Sequence, residues 1–106
     1  MALVEIDGLR VVERLPGWRG RYFHSENMTF AHYEFVGGAT IHEHFHPQEE
    51  VWEVVEGEVE LTVDGEVQIA RPGSVAIVPA GIHHSAKALT DGRAIIVDSP
   101  TRHDLG

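Results

Sequence analysis

Glu58-Val59-Glu60-Leu61-Thr62-Val63-Asp64-Gly65-Glu66-Val67-Gln68-Ile69-Ala70 carries the clearest pattern in this 106-residue chain. Val59, Leu61 and Val63 alternate with polar residues, Asp64-Gly65 interrupts, and Val67 and Ile69 resume the alternation. A period of two belongs to a strand with one buried face. Asp-Gly suits a two-residue turn, because both of its positions tolerate positive φ. The segment predicts a β-hairpin.

Working outward, turn signals recur at Asp7-Gly8, Pro16-Gly17, Gly37-Gly38, Pro72-Gly73, Pro79-Ala80-Gly81 and Asp91-Gly92. Between them lie short runs rich in Val, Ile and aromatic residues, the mark of an all-β sandwich or barrel. Further strands are expected at Leu9–Leu15, Met28–Val36, Thr40–His46, Val51–Glu56, Ser74–Val78, His83–Leu89 and Ala94–Ser99. Residues 18–27 resist assignment; Trp18, Tyr22 and Phe23 fit core, subunit contact or pocket lid. Helical periodicity is not sustained anywhere. About ten short strands must dispose of their sheet edges, and a closed barrel or double-sheet jelly roll does so.

The length fits one domain, 1–106. Eight Lys plus Arg against 17 Asp plus Glu give a formal charge of −9, which repels phosphate backbones and anionic membrane surfaces. Nucleic acid and membrane are therefore not expected partners. The chain has no Cys, so disulfides, thiolate ligands and Cys nucleophiles are excluded. The N-terminus is acidic where a secretory signal would be basic, which points to the cytoplasm. No Gly-x-Ser-x-Gly elbow or phosphate-binding loop occurs. The unusual feature is eight His.

Three of them, His42, His44 and His46, alternate within Thr40–His46 and would share one face of a strand, with Ile41, Glu43 and Phe45 on the other. Buried imidazoles each need a hydrogen-bond partner, whereas several converging on one divalent cation satisfy one another. Neutral imidazole suits Zn, Cu, Fe and Ni, and the nearby Glu50 extends the choice to Fe(II) and Mn(II). His84, just after the Pro79–Gly81 turn, offers a further ligand. A solvated surface cluster is the bland alternative, and Glu50 together with the second His site weighs against it.

These residues resemble the two motifs of the cupin superfamily. The first reads Gly38, five residues, His44-Phe45-His46, three residues, Glu50, six residues, Gly57. The second reads Gly73, five residues, Pro79-Ala80-Gly81, two residues, His84. Its final Asn is replaced by Ala88. The resemblance implies an all-β double-stranded β-helix, or jelly-roll barrel, over about residues 28–99. It also implies a divalent transition metal (Fe, Mn, Ni, Zn or Cu) on His44, His46, Glu50 and His84, and a homodimer. Three neutral His, one carboxylate and a divalent cation sum to +1, which invites an anionic or chelating small molecule.

A subgroup of sugar-acid cupins linked to pectin degradation, which open unsaturated uronates, is similar in His44-Phe-His46-Pro47-Gln48-Glu49-Glu50. It is similar too in the tail Ser99-Pro100-Thr101-Arg102-His103-Asp104. The likeness implies Arg102 as a carboxylate clamp. Glu50 stands where the subgroup often has Gln, and Ile96 where it has a pocket Asp, leaving His42 or Asp98 as substitute bases. The expected function is Lewis-acid catalysis on a small oxygenated carboxylate, by isomerase-like ring opening or dioxygenase-type chemistry. The other reading is a non-catalytic sensor or storage module. Glu49 is expected to be a solvated neighbour of Glu50, and His83 to point away from His84. Phe30, Tyr33, Phe35 and Trp52 are expected to pack in the core, with Trp52 in phase with Glu50. His24, His32 and His103 have no placing motif.

Overall fold

A computed structural model describes residues 2–104. Among them the one helical element is a 3-10 turn at Ile6–Gly8, and no helix is long and apolar enough to cross a membrane. Ten strands follow: β1 (Val12–Leu15), β2 (Trp18–His24), β3 (Thr29–Phe35), β4 (Thr40–His44) and β5 (Glu49–Glu56), then β6 (Val59–Val63), β7 (Glu66–Ala70), β8 (Val75–Val78), β9 (His84–Ala88) and β10 (Gly92–Ser99). They form a six-stranded sheet, β1-β2-β3-β10-β5-β8, and a four-stranded sheet, β4-β9-β6-β7. From β3 onward the chain passes repeatedly from one sheet to the other, which is the jelly roll expected from the sequence.

The hairpin forms at the expected residues. Val63 lies opposite Glu66, and Asp64 and Gly65 have φ of 50° and 79°, the double positive φ that a tight two-residue turn requires. Its inward side chains, Val59 and Leu61, meet the inner face of the larger sheet, where Trp18, Phe35, Trp52, Val54 and Ile96 are buried.

The segment that resisted assignment is a strand. Trp18, Gly20 and Tyr22 are buried and alternate with Arg19, Arg21 and Phe23. Gly20 weakens the pattern on paper but is required in place. A Cβ there would sit 2.6 Å from the Tyr22 hydroxyl and 2.8 Å from the Tyr33 ring. Phe30 also departs from expectation: it is half-buried, on the outer face of the larger sheet.

Gly57 ends β5 with φ of 84°, and a Cβ there would collide with the Asp91 carbonyl oxygen and lie 2.6 Å from Thr90 Oγ1. Left-handed backbone and a collision with main chain act together. Gly57→Ala is therefore expected to cost about 2–4 kcal/mol, read as a lower midpoint of thermal unfolding.

Candidate metal centre

His44 ends β4, His46 follows it in the connection to β5, Glu50 is the second residue of β5, and His84 begins β9. The first three are close in sequence; His84 is brought in because β4 pairs with β9, placing His44 directly opposite His84. The ladder is irregular here. Ile41 faces Ala86 and His44 faces His84, so three steps on β4 match two on β9. This bulge shifts the side-chain alternation by one. Ile41 therefore lines the cavity with His44, whereas His42 is exposed. The expectation that His42 shares the face of His44 and His46 is corrected on that ground.

The ring orientations follow from local backbone. His44 Nδ1 donates to the His42 carbonyl at 2.8 Å, His84 Nδ1 to the Ile82 carbonyl at 2.8 Å, and His46 Nδ1 to the Gln48 carbonyl at 3.1 Å. A carbonyl oxygen only accepts, so the proton of each neutral ring sits on Nδ1 and Nε2 is left as a lone-pair donor. One ligand nitrogen from each ring lies within 4.8 Å of the other two. His46 Nε2 is 3.1 Å from Glu50 Oε1, and His84 Nε2 is 3.4 Å from Glu50 Oε2. The latter nitrogen is buried with no hydrogen-bond partner.

Lone pairs facing carboxylate oxygens at these distances call for positive charge among them, supplied by a ring proton or by a bound cation. Ligand atoms about 2.1 Å from an ion and at right angles to one another stand about 3 Å apart. The observed spacings match that separation. Three imidazole nitrogens and one carboxylate thus form a group able to hold a divalent transition metal, and the orphaned His84 nitrogen is the mark of a missing partner.

Electrostatics favour the ligand forms of His44 and Glu50. Burial holds His44 below its usual pKa, keeping it neutral. Burial alone would raise the pKa of Glu50, but the His46 and His84 imidazoles beside it and the hydrogen bond from Trp52 outweigh it and keep the carboxyl well below the usual carboxylate range. The Trp52 indole donates to Glu50 Oε2 at 2.6 Å, which fixes the carboxylate orientation. Trp52 shares the inward phase of Glu50, as the sequence suggested, and is buried. For His84, burial opposes the charged form, while the Glu50 carboxylate beside it and the Ile82 carbonyl raise its pKa in balance.

Asp98 lies opposite Glu50 in the β5–β10 ladder and is buried, with Oδ1 unpartnered. Burial first, and the neighbouring Glu50 charge second, push its pKa up to about 8. An unfolded Asp releases its proton near 3.9. Between those values the unfolded chain binds fewer protons, so this group makes the metal-free protein less stable as pH rises through the window. Thermal melts from about pH 5 to pH 8 are expected to show that decline, and to show a flatter one in Asp98→Asn.

Arg102 reaches the same place from the tail. Its backbone N–H donates to Thr29 Oγ1 at 2.8 Å, and Gln48 Nε2 donates to the adjacent Thr101 carbonyl at 3.3 Å. Arg102 Nε and Nη2 donate to Asp104 at 3.2 and 2.9 Å. Nη1 stands 3.7 Å from Asp98 and 3.8 Å from Glu50. Arg102, Asp104, Asp98, Glu50 and His44 line a cavity of about 190 Å³ walled by Trp18, Tyr22, Tyr33, Ile41, Trp52 and Ile96. Its polar atoms include the unpartnered Trp18 Nε1 and Asp98 Oδ1, and the Tyr22 and Tyr33 hydroxyls, which share one hydrogen bond of 2.8 Å.

The remaining candidates lie elsewhere. His83 stacks on Phe45 and stands 3.6 Å from Glu43 at the surface, away from the metal group. Glu49 and His103 are exposed, His24 bonds Thr29, and His32 is on the outer face of the larger sheet. Trp18 and Tyr22 are wall residues that the sequence reading left open. Their signal was the Trp18-x-Gly20-x-Tyr22 alternation.

The family described as Cupin domain matches residues 31–104. No curated protein sequence matches the chain. Among solved structures, an RmlC-like cupin from Shewanella frigidimarina is 26% identical with a TM-score of 0.90, over 98% of this chain and 95% of that one. KdgF from Halomonas sp. is 25% identical with a TM-score of 0.90, over 98% and 97%. Oxalate decarboxylase from Bacillus subtilis, 20% identical with a TM-score of 0.78, shares the fold over 94% of this chain and 31% of its own.

Proposed function

Because the chain belongs to the cupin domain family, we propose that it is a metal-dependent enzyme acting on a small oxygenated carboxylate, of the sugar-acid class. The observation that carries this reading is the set of three imidazoles locked by their Nδ1 protons, with Nε2 free beside the Glu50 carboxylate. His44, His46, Glu50 and His84 would hold the ion. When bound, the ion supplies Lewis-acid polarisation of a substrate carbonyl.

The chain's own groups then divide the remaining work. Arg102 offers Nη1 to a substrate carboxylate, its other edge being held by Asp104. Asp98 holds a proton within reach of the same space and is the proposed proton carrier, taking the place of the Asp for which Ile96 stands. Trp18 Nε1 and the Tyr22–Tyr33 hydroxyl pair offer hydrogen bonds to substrate oxygens. Trp52 and Ile96 exclude water from one side. The exposed His42 acts through its carbonyl, by orienting His44.

The test is turnover of unsaturated uronates and related keto acids by protein loaded in turn with Fe, Mn, Ni, Zn and Cu. Arg102→Ala is expected to lower kcat/KM about 100-fold, mainly through KM, because a buried charged contact is lost. A second reading, a metal- or ligand-binding module without turnover, draws support from the apolar Ile96 at the base position. Fully loaded protein that stabilises on ligand addition and forms no product would establish it. The proposal also includes pairing of two chains and a cytoplasmic location.

A further inference from the structure

Two Arg side chains line the cavity, and their surroundings differ. Arg102 is crowded by carboxylates: Asp104 accepts from Nε and Nη2, and Asp98 and Glu50 stand 3.7 and 3.8 Å from Nη1. Arg14 forms no ion pair among the described residues. Its sequence neighbour Glu13 accepts instead from the Gly17 backbone N–H at 3.2 Å. The acid that feels its charge is Asp104, whose carboxyl is held below its usual pKa first by the Arg102 bonds and to a smaller extent by Arg14. Both oxygens of Asp104 are already taken by Arg102.

Arg14 faces the cavity because of an irregular ladder. Glu13 lies opposite Arg19 and Leu15 opposite Trp18, so two steps on β1 match one on β2 and Arg14 is the extra residue. Such a bulge re-aims a side chain. The consecutive residues Arg14 and Leu15 both line the cavity, where a strict period of two would send one of them away. The Arg14 guanidinium stands 5.7 Å from the Tyr22 ring centroid, a cation–π contact that keeps it against the wall.

A second donor lies on the same side. Trp18, opposite Leu15, is 1% exposed, and its Nε1 is buried without a hydrogen-bond partner. Guanidinium and indole N–H groups only donate, and the side-chain group that only accepts is a carboxylate. The strand order puts β1 four strands from β5, about 19 Å at about 4.8 Å per strand. Arg14 and Glu50 therefore reach into one cavity from opposite sides. We infer that the cavity takes a small diacid, with one carboxylate on Arg102 Nη1 and a second on Arg14 and Trp18 Nε1. The inference rests on the small-carboxylate reading above and narrows its substrate class.

Isothermal titration calorimetry of the full chain with galactonate and galactarate tests this, because these linear sugar acids differ only in a hydroxymethyl or a second carboxylate at the far carbon. Wild type is expected to bind galactarate about tenfold tighter than galactonate. Arg14 is exposed, so Arg14→Gln leaves the fold intact. That variant is expected to erase the preference while changing galactonate affinity less than about twofold. Arg14→Lys, which keeps the charge and loses the planar fork, is expected to retain part of the preference. A wild type that binds both acids alike, or a preference that survives Arg14→Gln, overturns the second acid site and leaves the carboxylate reading standing. A wild type that binds neither overturns both.

Discussion

His46→Ala is expected to reduce bound metal from about one equivalent per chain to less than about a tenth, by elemental analysis of protein reconstituted with Fe, Mn, Ni, Zn and Cu. The ring is buried and stands 3.1 Å from Glu50. Removing it deletes one ligand and strips the carboxylate of a close partner. Trp52 alone then donates a hydrogen bond to Glu50 at full strength, while the His84 nitrogen stays at 3.4 Å. Truncating the buried ring also leaves a cavity beside Glu50, a loss of about 2–4 kcal/mol. Metal at about 100 times its dissociation constant stabilises the wild type by roughly 2.7 kcal/mol. The variant should therefore melt lower than metal-free wild type and gain nothing from added metal. Metal-free wild type after reconstitution would refute the metal centre itself.

Trp18→Ala is expected to have the largest effect on stability. Trp18 is 1% exposed and packs on Tyr33, Phe35 and Trp52, with ring centroids at 5.8, 5.3 and 6.0 Å. Truncating a buried Trp costs about 3–5 kcal/mol, comparable with the whole stability of many small domains. Its Trp52 contact matters for function too, because Trp52 orients Glu50. Loss of Trp18 should lower both the melting temperature and the metal affinity. Trp18→Phe, which keeps one aromatic ring in the wall while losing the indole N–H and some volume, should retain metal at near wild-type affinity. Isothermal titration of the two variants separates wall from ligand geometry.

The jelly roll was legible because strands with one buried face write their period into the sequence, and because Asp64-Gly65 marks a turn whose φ values few other pairs accept. The metal group was legible for a different reason. His44, His46 and Glu50 lie within one short stretch, where spacing and position nearly coincide. What failed was side-chain phase. A bulge inserts one residue without leaving a mark in composition, and a strict period of two then assigns His42 inward and Ile41 outward, the reverse of what is found. Trp18–His24 was illegible because Gly20, needed for two tyrosines to approach, reads as a break. Asp98 was only a fallback base, because its opposition to Glu50 is a matter of long-range register.

The three imidazole locks share one trait: each acceptor carbonyl lies two residues from its ring, at His42, Gln48 and Ile82. Ring orientation is thus set within three tripeptides, and the barrel has only to bring those tripeptides together. Precision at the ion and integrity of the fold are largely separable properties here. A substitution that bends the backbone at Pro47 or Ile82 can misaim a nitrogen while every strand stays paired. The chemistry of the centre is open to retuning in small local steps, on a scaffold that scarcely registers the change.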